Sequence, residues 1–397
     1  MGELILESKR RENIINLIYF TGLILVISIQ FLTSTTLGSV VTSMYRPITI
    51  TGEILLLSKY FLFQKNSTLN FISFLGLEII AFINYKYTKN GDLIYLLPVI
   101  FSSKDIDGKK IVKFFFMTVT ILLGITVMLA ISGKIPNYVF SYNTGSSSVG
   151  RKALGMVYPT TLGATVMYLV LAYLTYKKFD ISLFQNLMIF VIAFIVKKVA
   201  YAKTAMLLIC VAGIVALFYK PICRILKKIN IVVPILILVI ILSSLYLAYH
   251  FNSSSQFEQM INIKLFSNRL YLGYVAAMTY PIKLFGQFIY MRGYGGQIGY
   301  LINQGALHTN YFYIDSFFLQ TLLIYGLLIF LVVIGCIVYF SYKFIKEKKF
   351  SLAIILSLII IDNIFESYMF HYSFNFMAIL LLANTDYFIS KENKTIR

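Results

Sequence analysis

The chain has 397 residues, 59% of them hydrophobic and only 13% charged, with a mean hydropathy of +0.80. A composition this apolar hides its surface in lipid and excludes a water-soluble globular protein. The formal charge of +19 would suggest nucleic acid in a soluble chain. Here it falls in short clusters between apolar runs, where it holds helix ends at an anionic leaflet, so a nucleic-acid partner is excluded as well.

Apolar runs of about 17 to 25 residues recur from end to end without the alternation of an outer-membrane barrel, so the expected fold is all-α, a polytopic integral membrane helical bundle. The first span, Ile14–Leu32, follows Lys9, Arg10 and Arg11, which place its start in the cytoplasm; no small-residue cleavage pattern follows, and it reads as a retained helix. Polar sequence around Arg46 precedes a second span, Ile48–Phe63, that carries Glu53 and Lys59. Leu69–Tyr85 and Leu93–Phe101 follow, the latter short enough to be tilted, extended by its flanks or re-entrant. The basic connector KDIDGKK leads to Phe114–Ser132.

The outer loop Gly133–Gly155 is rich in Pro, Asn, Gly and Ser, whose polar backbone must lie outside hydrocarbon. It closes on Arg151 and Lys152 before the span Met156–Tyr176. Arg151 breaks the positive-inside bias and stands at a helix start, which suggests an anionic ligand; snorkelling to lipid headgroups is the alternative. Ile181–Val196 returns outward to an outer turn with Lys197, Lys198 and Lys203, again against the charge rule, so that either these cations face an anion or the topology differs there. Thr204–Tyr219, the basic connector KPICRILKK and Ile231–Tyr249 bring the chain to its longest polar segment, 250–315. Phe317–Phe340, Leu352–Tyr368 and Phe374–Phe388 complete about twelve crossings, ten if the second and fourth fail, in a single domain over residues 1–397 with both termini cytoplasmic and a basic tail of Lys391, Lys394 and Arg397.

The loop 250–315 is expected outside, with short interfacial or re-entrant helices. Asn268–Thr279 has helical spacing until Pro281, and the glycines of RGYGGQIG permit a tight turn but follow no nucleotide fingerprint. Arg269, Arg292, His308 and Asp315 stand here among aromatic residues, with Tyr271 on another helical face from Arg269. His308 or Asp315 could accept a proton from a hydroxyl; equally, His308 could be an interfacial polar group and Asp315 a helix cap. Asp362 and Glu366, four apart, are expected on one helix face, either orienting cations or simply satisfied by a neighbouring arginine or Asn363. His250 has no metal-ligand spacing to His308, and Cys210, Cys223 and Cys336 suit neither disulfides nor zinc, so no cofactor or metal is expected. Arg151, Lys203, Arg269 and Arg292 over tyrosine walls would suit a lipid-linked pyrophosphate.

Five segments carry a family resemblance: RKALGMVYPTTLGA (Arg151–Ala164), AKTAMLL (Ala202–Leu208), NRLYLGYVAAMTYPIKLFGQ (Asn268–Gln287), YIDSFFLQTLLIYG (Tyr313–Gly326) and DNIFES (Asp362–Ser367). In order and spacing the chain resembles the Wzy-type polysaccharide polymerases of the O-antigen ligase and polymerase superfamily, especially those of low-GC Gram-positive bacteria. The resemblance implies a GT-C-like membrane fold and an inverting glycosyltransferase. Its partners would be an undecaprenyl-pyrophosphate-linked repeat unit, the growing glycan chain and the bilayer, with a flippase and a chain-length regulator alongside. It implies pyrophosphate binding by Arg151 and Arg269, with Lys203 where the family often has arginine. Asp315-Ser316, followed by nine residues and then Gly326, resembles a ligase signature that begins with histidine, which would make Asp315 the base, with Glu366 the late-span glutamate. A glycan ligase and a flippase for the same lipid-linked sugar are the alternatives.

Overall fold

A computed structural model describes residues 2–143, 148–264, 266–307, 309 and 311–390. The chain is mostly helical, and six helices are long and apolar enough to cross a membrane: α1 (Gly2–Thr33, apolar from Arg10), α3 (Thr68–Thr88), α5 (Gly108–Ile131), α7 (Leu183–Ala200), α10 (Val232–Tyr249) and α15 (Leu327–Lys346). A seventh is counted if α8 (Lys203–Leu217) and α9 (Tyr219–Lys228), which meet at 85°, form one broken span. Between these lie α2 (Gly38–Ser58), α4 (Asp92–Ser102), α6 (Pro159–Lys177) and α16 (Phe350–Phe365). The segment 250–315 carries α11 (Gln256–Lys264), α12 (Arg269–Thr279) and α13 (Gly296–Asn303); two short helices, α14 (Phe317–Gln320) and α17 (Phe376–Leu380), complete the set.

Local chemistry fixes several ends. Asp107 accepts a hydrogen bond from the Lys109 amide at the start of α5, and Ser182 with Gln185 forms a capping box at α7. Pro159 occupies the first turn of α6, where its missing N–H is no loss, and Lys178 ends that helix in a left-handed conformation. Helices α6 and α16 are buried along most of their length and form the centre of the bundle. Helix α8 crosses α6 at Gly163, where an added methyl would strike the Ala202 side chain and come within 3.3 Å of that of Ala205.

Four features differ from the sequence reading. Where a second span from Ile48 is expected, α2 begins at Gly38 and is not among the helices long and apolar enough to cross, and the polar stretch around Arg46 is helical; Gly22 and Gly52 allow α1 and α2 to approach closely, a methyl on Gly52 falling 3.0 Å from the Gly22 carbonyl oxygen. The loop before α6 contains a two-stranded antiparallel hairpin, β1 (Val139–Asn143) and β2 (Ser148–Lys152), in which Phe140 lies opposite Arg151. The run Phe317–Phe340 is broken: α14 passes into a π-helical turn over 321–325, and Gly326, with φ of 90°, separates that turn from α15. Phe374–Phe388 is not a continuous helix either; α17 has five residues, 386–388 form a short 3-10 turn, and burial is continuous only over 374–380.

The break at Gly326 has a tertiary cause. The extended segment after α12 enters the gap, the Gln287 amide donating to the Ile324 carbonyl at 2.9 Å and the Leu327 and Leu328 amides donating to Lys283 and Leu284 carbonyls at 2.9 and 3.1 Å. A methyl on Gly286 (φ 82°) would collide with the Ile324 carbonyl oxygen. Gly286→Ala is therefore expected to destabilise the protein by about 2–4 kcal/mol, from strain and overpacking together. Thermal unfolding in detergent checks this, and an unchanged midpoint would contradict the backbone contact.

Two polar ends result. At one, the hairpin, the C-terminus of α7, the segment 250–315 and the C-terminus of α16 converge. At the other, the Gly108 amide donates to the Asn384 carbonyl, the Ser390 amide to that of Lys348, and the Lys178 ammonium to that of Tyr387.

Candidate functional site

The site is assembled by backbone contacts before any side chain is considered. Helix α16 ends at Phe365, and Glu366, whose amide still donates to the Asp362 carbonyl, is extended. Asp362 and Glu366 consequently do not share a helical face as the four-residue spacing suggests. The Glu366 carbonyl accepts from the Phe317 amide at 3.1 Å, which pins the start of α14 to the end of α16 and sets Asp315 beside Glu366. Asp315 does not cap α14, since Ser316 occupies that position and no side-chain cap bond forms.

Arg269, the first residue of α12, fills the space between these acids. Its Nη2 donates to Glu366 Oε1 at 2.7 Å, and its Nε lies 3.5 Å from Asp315 Oδ2. The three side chains are 18, 15 and 12% exposed for Arg269, Asp315 and Glu366, so the pairing is shielded but reachable. One cation faces two anions, which leaves a net negative charge. Burial pushes the Asp315 carboxyl up to about 6; Arg269 opposes this, and the nearby Glu366 carboxylate adds to it. For Arg269, burial alone would lower the pKa, but Glu366 and Asp315 more than compensate and raise it.

Arg151 projects from β2 and is buried, its Nε donating to the Ala200 carbonyl at 3.0 Å. That carbonyl belongs to the last residue of α7, just before Tyr201 turns left-handed. The guanidinium carbon lies 5.3 Å from the ring centres of both Tyr142 and Tyr158. Lys203, the first residue of α8, holds its ammonium 5.7 Å from the Tyr142 ring and 5.5 Å from that of Tyr201. These are cation–π distances, and they place the two cations around one aromatic wall.

Tyr158 joins the two clusters: its hydroxyl lies within the fields of Arg151, Arg269 and Asp315 together, and burial raises its pKa against the pull of the two arginines. The glycine turn of the long segment closes over this point, the Gly296 amide donating to the Val157 carbonyl at 2.8 Å. Tyr294 and Tyr311 stack there at 4.4 Å. Tyr313 is half-buried there and lies within the fields of Asp315 and Glu366.

Of the residues singled out by sequence, Arg151, Lys203, Arg269, Asp315 and Glu366 thus gather at one end of the bundle. Asp362 lies deeper, accepting from the Tyr168 hydroxyl at 3.1 Å, while Asn363 donates to the same hydroxyl at 3.1 Å, so Asp362 supports the end of α16 rather than facing a ligand. Arg292 pairs its backbone with Phe312, but its guanidinium turns to the Tyr290 hydroxyl at 2.8 Å. Tyr271 is 40% exposed and packs beside Phe251, on a face of α12 away from Arg269. His308 lies outside the described residues, as does the basic tail with Lys391, Lys394 and Arg397. Tyr158, Tyr142 and Tyr311 are the site residues that sequence reasoning did not single out; the one usable signal was Tyr158 directly before Pro159.

The arrangement offers a carboxylate able to take a proton near neutral pH, a fixed guanidinium that orients it, and two cations on tyrosine faces suited to an anion. Among the described residues no group of three or more His, Cys, Asp or Glu side chains is placed to hold a metal ion. Comparison with protein-family models, curated proteins and solved structures gives no match to this chain.

Proposed function

We propose that the chain is an inverting membrane glycosyltransferase that joins oligosaccharide units carried on undecaprenyl pyrophosphate into a capsular or extracellular polysaccharide at the outer face of the cytoplasmic membrane. In this reading the six long apolar helices, the shorter ones and the irregular last segment make about twelve passages in a GT-C-like arrangement, with the ends of the chain inside. The observation that carries it is the placement of Asp315, held by Arg269, which Glu366 holds in turn, at the same end of the bundle as the cation pair Arg151 and Lys203 on an aromatic wall. Asp315 takes the proton from a hydroxyl of the incoming unit's terminal sugar. The resulting oxygen attacks the anomeric carbon of the donor chain from the face opposite the leaving group, and the bond from that carbon to the pyrophosphate breaks. Arg151 and Lys203 neutralise the departing lipid pyrophosphate. Arg269, already engaged by two carboxylates, orients the base more than it holds phosphate, which refines the pyrophosphate role implied for it by family resemblance.

The test supplies purified protein in liposomes with a lipid-pyrophosphate repeat unit and looks for a ladder of products. Absence of a ladder from a verified cognate unit, together with measured flipping of that unit, would replace this reading by a transporter.

A pH profile follows from Asp315. The base must be ionised, so elongation should rise with pH through about 6, and Asp315→Asn should abolish that limb. Stability should run the other way. The folded protein retains a proton that the unfolded chain releases near the ordinary carboxylate value of 3.8, so the contribution of Asp315 is present at low pH and is lost as pH rises from there through about 6. Elongation rates and unfolding midpoints between pH 4 and about 8 measure both trends.

A further inference from the structure

Helix α9 has no part in the site. Helix α8 begins there at Lys203 and carries the chain to the opposite polar end, where it turns through 85° into α9. A helix turned this far from a neighbour that runs along the bundle lies near the plane of the membrane surface. Its ten residues, YKPICRILKK, hold four cations and no acid. At about 100° per residue they divide the helix into distinct faces. Tyr219, Ile222, Cys223 and Leu226 share one and pack against the core, with Tyr219 stacked on Phe179 at 4.9 Å just beyond the end of α6. Lys220, Arg224, Lys227 and Lys228 fall within an arc of about 100° on another and are exposed. At the edge between these faces Ile225 is 56% exposed, as is Phe218 at the bend. The surroundings extend the positive face. Phe179 follows Lys177 and Lys178, and α9 also packs beside α15, whose last turn holds Lys343 and Lys346. The acids of these two neighbouring ends are Asp180 and Glu347, and Lys349 takes Glu347 at 2.6 Å. Among the described residues Lys220, Arg224 and Lys228 enter no ion pair.

We propose that α9 is a lipid-docking surface that lies in the headgroup layer and binds anionic phospholipids through Lys220, Arg224, Lys227 and Lys228, with Ile225 and Phe218 against the acyl chains. Basic flanks elsewhere in the chain sit at helix ends, whereas here the cations line the length of a helix beside an exposed apolar edge. That pairing of charge and grease is the chemistry of an anionic headgroup layer. An acidic protein would answer the cations but leave no reason for the apolar edge. A zwitterionic lipid would cover the edge but give the cations no net counter-charge. Each cation held near an anionic surface strengthens binding by about fivefold. The surface is independent of the polymerase reading, since none of its residues belongs to the site.

The experiment titrates short-chain phosphatidylglycerol and, separately, phosphatidylcholine into the purified full-length protein in uncharged detergent at constant ionic strength and follows thermal unfolding. Phosphatidylglycerol should raise the midpoint saturably, with half-saturation at a concentration at least about tenfold lower than phosphatidylcholine requires. Lys220→Gln with Arg224→Gln should raise that half-saturating concentration about 25-fold, fivefold for each charge removed, and leave the phosphatidylcholine response unchanged. Lys86→Gln with Lys89→Gln, which removes the same charge at the end of α3, should have no such effect. Ile225→Gln should also weaken phosphatidylglycerol binding. The proposal is overturned if the two lipids act alike, if the α9 variant responds as the wild type does, or if the Lys86 and Lys89 variant loses as much, which would assign the effect to overall charge. It is overturned equally if Ile225→Gln has no effect or inorganic phosphate replaces the lipid, since the surface would then take an acidic group alone. Should the double variant fail to fold, Lys220→Gln and Arg224→Gln singly, each expected to weaken binding about fivefold, decide the matter.

Discussion

Replacing Asp315 with asparagine is expected to reduce elongation by about 10²- to 10⁴-fold, the usual contribution of a positioned general base, while the protein remains as abundant and as monodisperse as the wild type. The amide has nearly the same volume as the carboxylate, and its oxygen can still face the Arg269 Nε from 3.5 Å, so the local packing is kept. The Arg269–Glu366 bond at 2.7 Å is untouched. What is lost is the basic oxygen and one negative charge. The product ladder from liposomes reads the effect directly, and unchanged elongation would reject Asp315 as the base.

Arg269→Ala should have the larger effect on the folded protein. It removes the cation between two carboxylates that are only 15 and 12% exposed, and breaking such a pairing from one side costs about 3–5 kcal/mol. The thermal midpoint should fall accordingly, and the double variant Arg269→Ala, Glu366→Gln should recover part of the loss by relieving the repulsion between the acids. In the single variant Asp315 loses the only group that pulls its pKa down, so any residual activity should need a more alkaline pH than the wild type. Arg269→Lys keeps the charge but not the two-sided reach, because one ammonium cannot span both acids as the guanidinium does. An Arg269→Lys protein with wild-type stability and pH profile would show that geometry at this position is unimportant.

The helices that meet lipid were legible in the sequence because hydrocarbon imposes one simple rule, a long apolar run with its backbone bonds satisfied internally. Of the runs covered by protein, Met156–Tyr176 and Leu352–Tyr368 do correspond to the buried helices α6 and α16, but the breaks in the later ones were not legible. Phe317–Phe340 has the composition of one uninterrupted helix, but the gap at Gly326 exists because the backbone around Gly286 enters it, a contact between residues forty apart. Strand residues VFSYN and SVGRK carry only five-residue patterns, too short to separate from a polar loop. At the site, Arg151, Lys203, Arg269, Asp315 and Glu366 stood out because charge is rare in this chain and each sits at the end of an apolar run. Tyr158 did not stand out, being one of 30 tyrosines. Arg292 and Tyr271 had the same sequence credentials as the residues that converge, and only the direction of each side chain separates them.

The segment 373–384, which contains α17, bears on the order in which the bundle assembles. Its Ser373 amide is satisfied by the Gln30 side chain of α1, Phe376 packs on Phe115 of α5 at 5.4 Å, and the Asn384 amide donates to the Ile106 carbonyl. A stretch that borrows its partners from segments made some 250 residues or more earlier cannot partition into lipid unaided, since its unpaired amides would meet hydrocarbon. The segment can therefore settle only after the earlier helices have formed the slot that receives it, so its docking reports that they are correctly built.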